Sequence, residues 1–426
     1  MRLNYITKYF ETIVLLLLLS ACEEDTPELA SEELNLRTQV VGVMKSWYLW
    51  NEEVPDVDVT TFTSTQSLMD ALVNKKYDRW SYVTEEEAFD QYFKEGTFIG
   101  HGFSLRYDEN GKLRISLVYP GSPADKNGIT RGFEILQING TNVDQIGDID
   151  TSLGGNNVGV TNRFTMLNTA GEEIDVSITK SEVAIVSVLH SSVIKQEGKK
   201  IGYLVFNNFI ERSENDLEKV FTEFLAAGID ELVLDMRYNG GGLLNIASKL
   251  SSMITSAENT GKLLVALTHN NEQESNNSNL LLEGQNIHLN LNRLLIVTTD
   301  ASASASEVII NCLKPHMEVV TIGSKSYGKP VGSYGFRYEG YIISPISFRV
   351  LNSEGNGNYF EGIPVNAEVL DDLSNNFGNT DEACLKEALH YLKTGTFNVT
   401  GARLNLNIIS KNRELMHGWR REIGAF

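Results

Sequence analysis

The sequence predicts an α/β fold preceded by a β-rich module and a short helical segment, and three observations carry that prediction. From Ile201 onward, short apolar strands alternate with amphipathic helices, the pattern of a mostly parallel sheet covered by helices. Between Phe98 and Ile178, brief β-runs are punctuated by Gly and Asn, which suits one small β module. From Leu34 to Trp50 the apolar residues Leu36, Val40, Val43, Met44 and Trp47 recur at helical spacing.

Composition narrows the field. The chain has 426 residues, 42% of them hydrophobic, with 56 acids against 36 bases, a net charge of −20 and three cysteines. That apolar content excludes a disordered chain, three cysteines are too few for a disulfide scaffold, and the acidic balance argues against a nucleic-acid surface. The length suits roughly two to three domains.

Residues 1–21 place Arg2 and Lys8 ahead of an apolar run from Ile13 to Leu19, too short to span a bilayer and therefore read as an export signal. Leu19-Ser20-Ala21-Cys22 resembles the lipobox of bacterial lipoproteins, which implies cleavage before Cys22 and acylation of that residue. The acidic stretch that follows, to residue 33, reads as a tether. The expected location is the cell envelope, on a Gram-negative outer membrane. Cys312 and Cys384 then remain in the globular part and are expected as free buried thiols.

The remaining elements follow in order. A helical segment covers 34–96, with Leu68, Met69 and Leu72 opening its second helix. The β module, 97–183, has runs at Phe98–Arg106, Leu113–Val118, Phe133–Ile138, Phe164–Leu167 and Ile174–Ile178. The α/β core, 184–395, reads as strand Ile201–Phe206, then a helix opened by a capping box at Ser213-Glu214-Asn215-Asp216 and closed by Gly228. Next come strand Glu231–Met236, helix Leu243–Ile254, strands Leu263–Leu267 and Leu294–Thr298, and helix Glu307–Leu313. The Asn-rich stretch between His269 and Asn292 is expected as a surface excursion. Residues 396–426 give no clear signal.

Three elements carry chemistry. Asp300-Ala301-Ser302-Ala303-Ser304-Ala305-Ser306-Glu307 lies between a strand and a helix, where a Ser hydroxyl can project beside helix-start N–H groups. The same residues form a capping box, and taken alone they read first as an ordinary helix start. Lys329 stands among Gly, Pro and apolar neighbours; an apolar pocket would lower its pKa from about 10.4 toward about 7–8 and fit it as a general base. Arg237-Tyr238-Asn239-Gly240-Gly241-Gly242 puts three glycines at a strand-to-helix junction, which permits a tight turn with exposed N–H groups.

Together these resemble the C-terminal processing peptidases, or tail-specific proteases, in which a D-L-R-x-N-x-G-G turn, an S-A-S-E turn and an F-G-K element follow in this order. The resemblance implies a Ser/Lys pair, Ser304 and Lys329, on a crotonase-like ββα core, with the oxyanion held by the N–H groups of Gly241 and Ala305. Gly240, Arg237, Asn239 and Ser333 are possible supporting residues. Ile99-Gly100-His101-Gly102-Phe103, with Ser122-Pro123-Ala124 and the run to Gly140, resembles a PDZ domain. That resemblance implies that Gly100, His101, Gly102 and Phe103 hold a peptide carboxylate while the peptide adds a strand to the sheet edge.

Met236 replaces the usual Leu, Pro330 follows the Lys where Gly is common, Ser333 stands where many members have Gln, and Gly362-Ile363-Pro364-Val365-Asn366 lacks a Pro-Asp pair. No G-x-S-x-G elbow, metal-ligand spacing or phosphate loop occurs, so neither a cofactor nor a metal is expected. The expected function is a serine endopeptidase acting on exported, unfolded or C-terminally exposed polypeptides, with no nucleic-acid partner. The rival is a catalytically silent envelope protein that holds peptides or small apolar ligands.

Overall fold

The structure is a computed structural model that describes residues 27–398, 408 and 410–412. The export signal, the lipobox and Cys22 lie outside the described residues. The amino-terminal part comprises α1 (Pro27–Trp47), α2 (Thr65–Leu72), β1 (Tyr82–Glu85) and α3 (Glu86–Asp90). Its apolar faces pack together, and Val40, Met44, Leu68, Met69 and Trp80 bury themselves against Ala303, Tyr327, Val331 and Ile346 of the core. The helical segment is thus one wall of the α/β core.

The β module contains β2 (Thr97–Gly100), β3 (Phe103–Tyr107), β4 (Leu113–Val118), α4 (Pro123–Lys126), β5 (Glu134–Ile138), β6 (Thr141–Asn142), α5 (Ile149–Leu153), β7 (Thr161–Leu167), β8 (Glu173–Thr179) and β9 (Ser181–Ala184). Its sheet runs β3-β4-β5-β7-β8, with β6 on β5. The expected strand Phe98–Arg106 is divided: Gly102, at φ 87°, turns the chain so that β2 pairs with β9 and β3 with β4. A side chain at Gly102 would meet Ser122 Cβ at 2.1 Å, so only glycine fits this turn.

The core follows with β10 (Val188–Gln196), β11 (Lys199–Phe206), α6 (Ser213–Ala227), β12 (Glu231–Asp235), α7 (Leu244–Ile254), β13 (Leu263–His269), β14 (Ser278–Leu281), β15 (Arg293–Thr298), α8 (Ala305–Leu313) and β16 (Glu318–Gly323). Then come β17 (Val331–Ser333), β18 (Phe336–Tyr338), β19 (Tyr341–Ser344), β20 (Ile346–Asn352), β21 (Ala367–Glu368) and α9 (Ala383–Thr394). The main sheet, β10-β11-β12-β15-β16-β21, is parallel except for the antiparallel edge pair β10 and β11. Apolar residues of α6, α7 and α8 pack on one of its faces and those of α9 on the other. The nearly continuous apolar strands of the sequence follow from that double cover.

Four expectations need correction. The tether expected to reach residue 33 stops short of it, because α1 already begins at Pro27. Leu263–Leu267 does not join the parallel sheet; it lies in an antiparallel sheet, β14-β13-β20-β17, which packs across α8. The Asn-rich stretch is not a bare excursion, because β14 pairs with β13 and Leu282 and Leu291 are buried. Ser213 is not a cap. Its hydroxyl is buried and bonds Asn208 O, Ile210 N–H and Ser187 Oγ, and α6 starts after Arg212 without a side-chain cap. Both Cys312 and Cys384 are free and buried.

Candidate active site

The parallel order of β12, β15 and β16 brings their following loops to one edge of the main sheet. These loops are the Gly-rich turn, the serine turn and the segment leading to Lys329. They meet in direct contact. A Cβ placed on Gly241 (φ 104°) would lie 2.7 Å from Ser304 Cβ and 2.9 Å from Ala305 N, so the glycine backbone abuts the serine turn.

The three serines of the turn have different surroundings. Ser302 is buried, its Oγ donating to Met236 O (2.8 Å) and accepting from Thr299 N–H (3.0 Å). Ser306 is buried and donates to Asn239 O at 2.8 Å. Both pin the serine turn to the Gly-rich turn. Ser304 alone of the three is partly exposed, and it sits at φ 53° and ψ −115°, a strained backbone for a residue with a side chain. Ala305 is buried at the first position of α8.

Lys329 is 5% exposed, and among the described residues its ammonium has no hydrogen-bond or ion-pair partner. Its Nζ lies 6.0 Å from the Trp80 ring centroid. Burial lowers its pKa from 10.5 to about 8, against the opposing charges of Asp78 and Glu307. Asp78 is held in place by the N–H groups of Trp80 and Ser81 and the Ser81 hydroxyl. Arg79 lies over the Trp80 and Tyr327 rings at 4.8 and 4.9 Å, completing the aromatic wall.

Glu307 joins the two turns. Its buried carboxylate accepts from Ser304 N–H (2.9 Å), Lys329 N–H (2.8 Å), Gly328 N–H (2.7 Å) and Ser326 Oγ (2.6 Å). Burial raises its pKa and those four donors oppose the rise. The sequence marked Glu307 only as a capping residue and passed over Asp78 and Trp80. The signal for Glu307 was present, since an acid beside Val308-Ile309-Ile310 on an apolar helix requires partners.

The supporting residues divide. Asn239 organises the Gly-rich turn: its Nδ2 donates to Phe206 O at 3.0 Å, and its Oδ1 accepts the Gly241 N–H at 2.9 Å. The Gly241 amide is therefore engaged within its own turn. Gly240 is buried beside it. Arg237 points away from the turn into a buried ionic cluster with Asp235 (2.7 Å), Glu382 (2.7 Å) and Asp371 (3.0 Å). Ser333 lies half-buried on β17 opposite Ile346, without a bond to Lys329.

The same cluster ties the β module to the core. Arg131 donates to Tyr238 Oη (2.6 Å) and Asp371 (3.1 Å), Tyr238 donates to Asp371 (2.6 Å), and Arg106 of β3 pairs with Asp300 at the start of the serine turn. Burial works to raise the Asp371 carboxyl, but Arg131, Arg237 and Arg106 outweigh it and hold the group well below the usual carboxylate range.

In the β module, Gly100 ends β2, Phe103 opens β3, and His101 stacks on Phe103 with an interplanar angle of 13°. Burial, helped by Lys180, lowers the His101 imidazole to about 4. The ring is neutral at physiological pH, so an anion at this loop would depend on backbone N–H groups rather than on an imidazolium.

A loop constellation of this kind on a helix-covered parallel sheet, with a PDZ-like sheet attached, defines a class. The chain belongs to peptidase family S41: residues 200–369 match the family model, 35–82 the peptidase S41 N-terminal domain and 93–152 the PDZ domain. The PDZ-type sheet continues past the matched residues, through β7 and β8. Among curated relatives, it is 26% identical over 320 residues to the "Probable CtpA-like serine protease" of Staphylococcus aureus, covering 72% of this chain. The chain spans 60% of that relative's length. Among solved structures it is similar to an S41-assigned protein of Bacteroides fragilis NCTC 9343, with 27% identity, a TM-score of 0.69, and coverage of 84% of this chain and 97% of that one. The fold is shared with the photosystem II D1 C-terminal processing protease, at 19% identity and a TM-score of 0.51, over 79% of this chain and 93% of that one.

Proposed function

We propose that the protein is a serine endopeptidase of the C-terminal processing type that works through Ser304 and Lys329. The observation that carries this reading is the shared Glu307 carboxylate, which joins the one accessible serine of the turn to a buried lysine whose ammonium has no ion-pair partner among the described residues. Ser304 Oγ attacks the scissile carbonyl carbon, and the neutral Lys329 Nζ takes the hydroxyl proton. The resulting oxyanion is met by the Ala305 N–H at the start of α8 and by the Gly241 N–H, which exchanges Asn239 Oδ1 for it. Lys329 then returns the proton to the leaving amine. Water, deprotonated by Lys329, resolves the ester and restores Ser304.

Substrates in this reading are exported polypeptides that are unfolded or have an accessible C-terminus, their carboxylate docked at Gly100–Phe103 and their chain added to β3. Acylated Cys22 holds the body on a Gram-negative outer membrane through the acidic tether.

The test is incubation of the chain from residue 23 onward with an unstructured peptide ending in apolar residues, read by product mass. Cleavage lost in both Ser304→Ala and Lys329→Ala supports the reading. Cleavage that survives either substitution refutes the mechanism, and tight binding without cleavage by the parent chain points to the silent binding protein instead.

A further inference from the structure

The strand that would receive a peptide, β3, is the edge of its sheet, with β4 on its other side. Across that hairpin Asp108 N–H donates to Lys112 O at 2.8 Å. By the alternation of an antiparallel ladder, Arg106 also faces β4, while the backbone groups of Leu105 and Tyr107 face away from it. Asn412 sits on that outward side. Its Oδ1 accepts from Tyr107 N–H at 2.7 Å and its Nδ2 donates to Tyr107 O at 3.1 Å. One acceptor and one donor offered to a single residue reproduce the pair of bonds an added strand would make there.

The neighbours of Asn412 reinforce the placement. Lys411 Nζ lies 5.1 Å from the Tyr107 ring centroid, and a Cβ on Gly111 at the hairpin turn would lie 3.6 Å from Ile408 Cδ1. Asn412 itself is buried. Three residues remote in sequence thus converge on the end of the hairpin opposite the Gly100–Phe103 loop.

We propose that Asn412 is a stop that ends strand addition at Leu105, so that the PDZ edge reads only about the last four residues of a substrate. The inference rests on the peptide-docking reading above. At about 3.4 Å per residue, β3 spans roughly 14 Å from the loop to Tyr107, so a peptide held by its carboxylate reaches Tyr107 with about its fifth residue from the end. That position is taken. The upstream chain leaves the edge beside a cavity of about 350 Å³ lined by Arg106, Tyr107, Asp300, Asp371 and Asn412. Asp300 Oδ2 is buried there without a hydrogen-bond partner among the described residues, an acceptor available to a backbone N–H of the emerging chain. Asp300 also opens the serine turn, so an exit at this point leads the substrate toward Ser304.

The experiment uses the chain carrying Ser304→Ala, so that nothing is cut, and two labelled peptides that share four apolar C-terminal residues, one four and one eight residues long. Fluorescence anisotropy is expected to give the same Kd for both lengths. With Asn412→Ala added, the longer peptide is expected to bind at least about fivefold tighter while the shorter is unchanged. Asn412→Asp, which keeps the acceptor and loses the donor to Tyr107 O, is expected to fall between. A length ratio that is the same with and without Asn412 overturns the stop and leaves peptide docking intact. No binding of either peptide by either protein overturns the docking reading and the stop together.

Discussion

The backbone N–H groups of Ser304 and Lys329 donate to one and the same atom, Glu307 Oε2, at 2.9 and 2.8 Å. Two loops that leave different strands are thereby held with their nitrogens within about 6 Å of each other. The pairing is independent of where the hydroxyl and the amine point, so the site is preorganised by backbone before any substrate arrives.

Glu307→Gln tests this directly. An amide keeps the size but turns N–H groups toward N–H donors, so kcat is expected to fall about 10- to 100-fold with little change in KM. Unfolding in denaturant is expected to show a loss of about 2–3 kcal/mol. A stability loss with kcat intact would leave Glu307 a structural residue only.

The neighbouring serines should separate from Ser304. Ser302→Ala and Ser306→Ala each remove a buried hydroxyl that bonds the Gly-rich turn. Each is expected to lower stability by about 1–2 kcal/mol and to retain most peptide cleavage, whereas Ser304→Ala abolishes cleavage at nearly unchanged stability. A rate assay beside a melting curve distinguishes the three.

The pH dependence follows from the buried lysine. Burial lowers Lys329 to about 8, and only the neutral amine accepts a proton, so kcat/KM is expected to rise through pH 8 and level off above it. Asp78 opposes that lowering, so Asp78→Asn is expected to move the midpoint to lower pH. A profile that is flat from pH 6 to pH 9 would remove Lys329 as the base.

The same lysine costs stability. Its folded pKa, about 8, lies below the unfolded value of about 10.4, so the folded form binds fewer protons and stability from this group rises between pH 8 and pH 10.4. Below pH 8 the cost is complete. Lys329→Met is therefore expected to be inactive and, at pH 7, more stable by about 1–3 kcal/mol in thermal or denaturant unfolding.

Asp371 behaves oppositely. With three arginines holding its carboxyl below the usual range, it contributes stability above the unfolded pKa of about 3.9, and that contribution fades as pH falls below it. Arg131→Ala is expected to destabilise the protein at pH 7 by about 3–5 kcal/mol and to shrink the loss of stability seen on acidification. An unchanged acid profile would remove Arg131 as the main partner.

Much of the core was legible because local pattern and tertiary environment agree there. The apolar strands Ile201–Phe206 and Leu294–Thr298 are apolar on both faces, and the structure covers both faces with helices. Ser304, Lys329 and the glycines were singled out because three short motifs, each ordinary by itself, stand in the order of one family; the structure adds that their turns lie in contact. What was misread depended on partners distant in the chain. Ser213 looks like a cap until Ser187 and Asn208 take its hydroxyl, and Leu263–Leu267 reads as a parallel strand until β20 pairs with it.

By itself, then, the sequence determined the order of elements, the three turns here proposed to carry chemistry and the acidic, mostly apolar-cored character of the chain. Only the tertiary structure decided that Glu307 binds the serine and lysine turns together, that Asp78 and Trp80 of the amino-terminal segment wall the lysine, and that Asn412 reaches Tyr107. The physical reason is range. Periodicity, caps and glycine turns are set by neighbours within a few residues, whereas a buried carboxylate or an unpaired ammonium takes its energy from groups that only folding brings within hydrogen-bond or Coulomb distance.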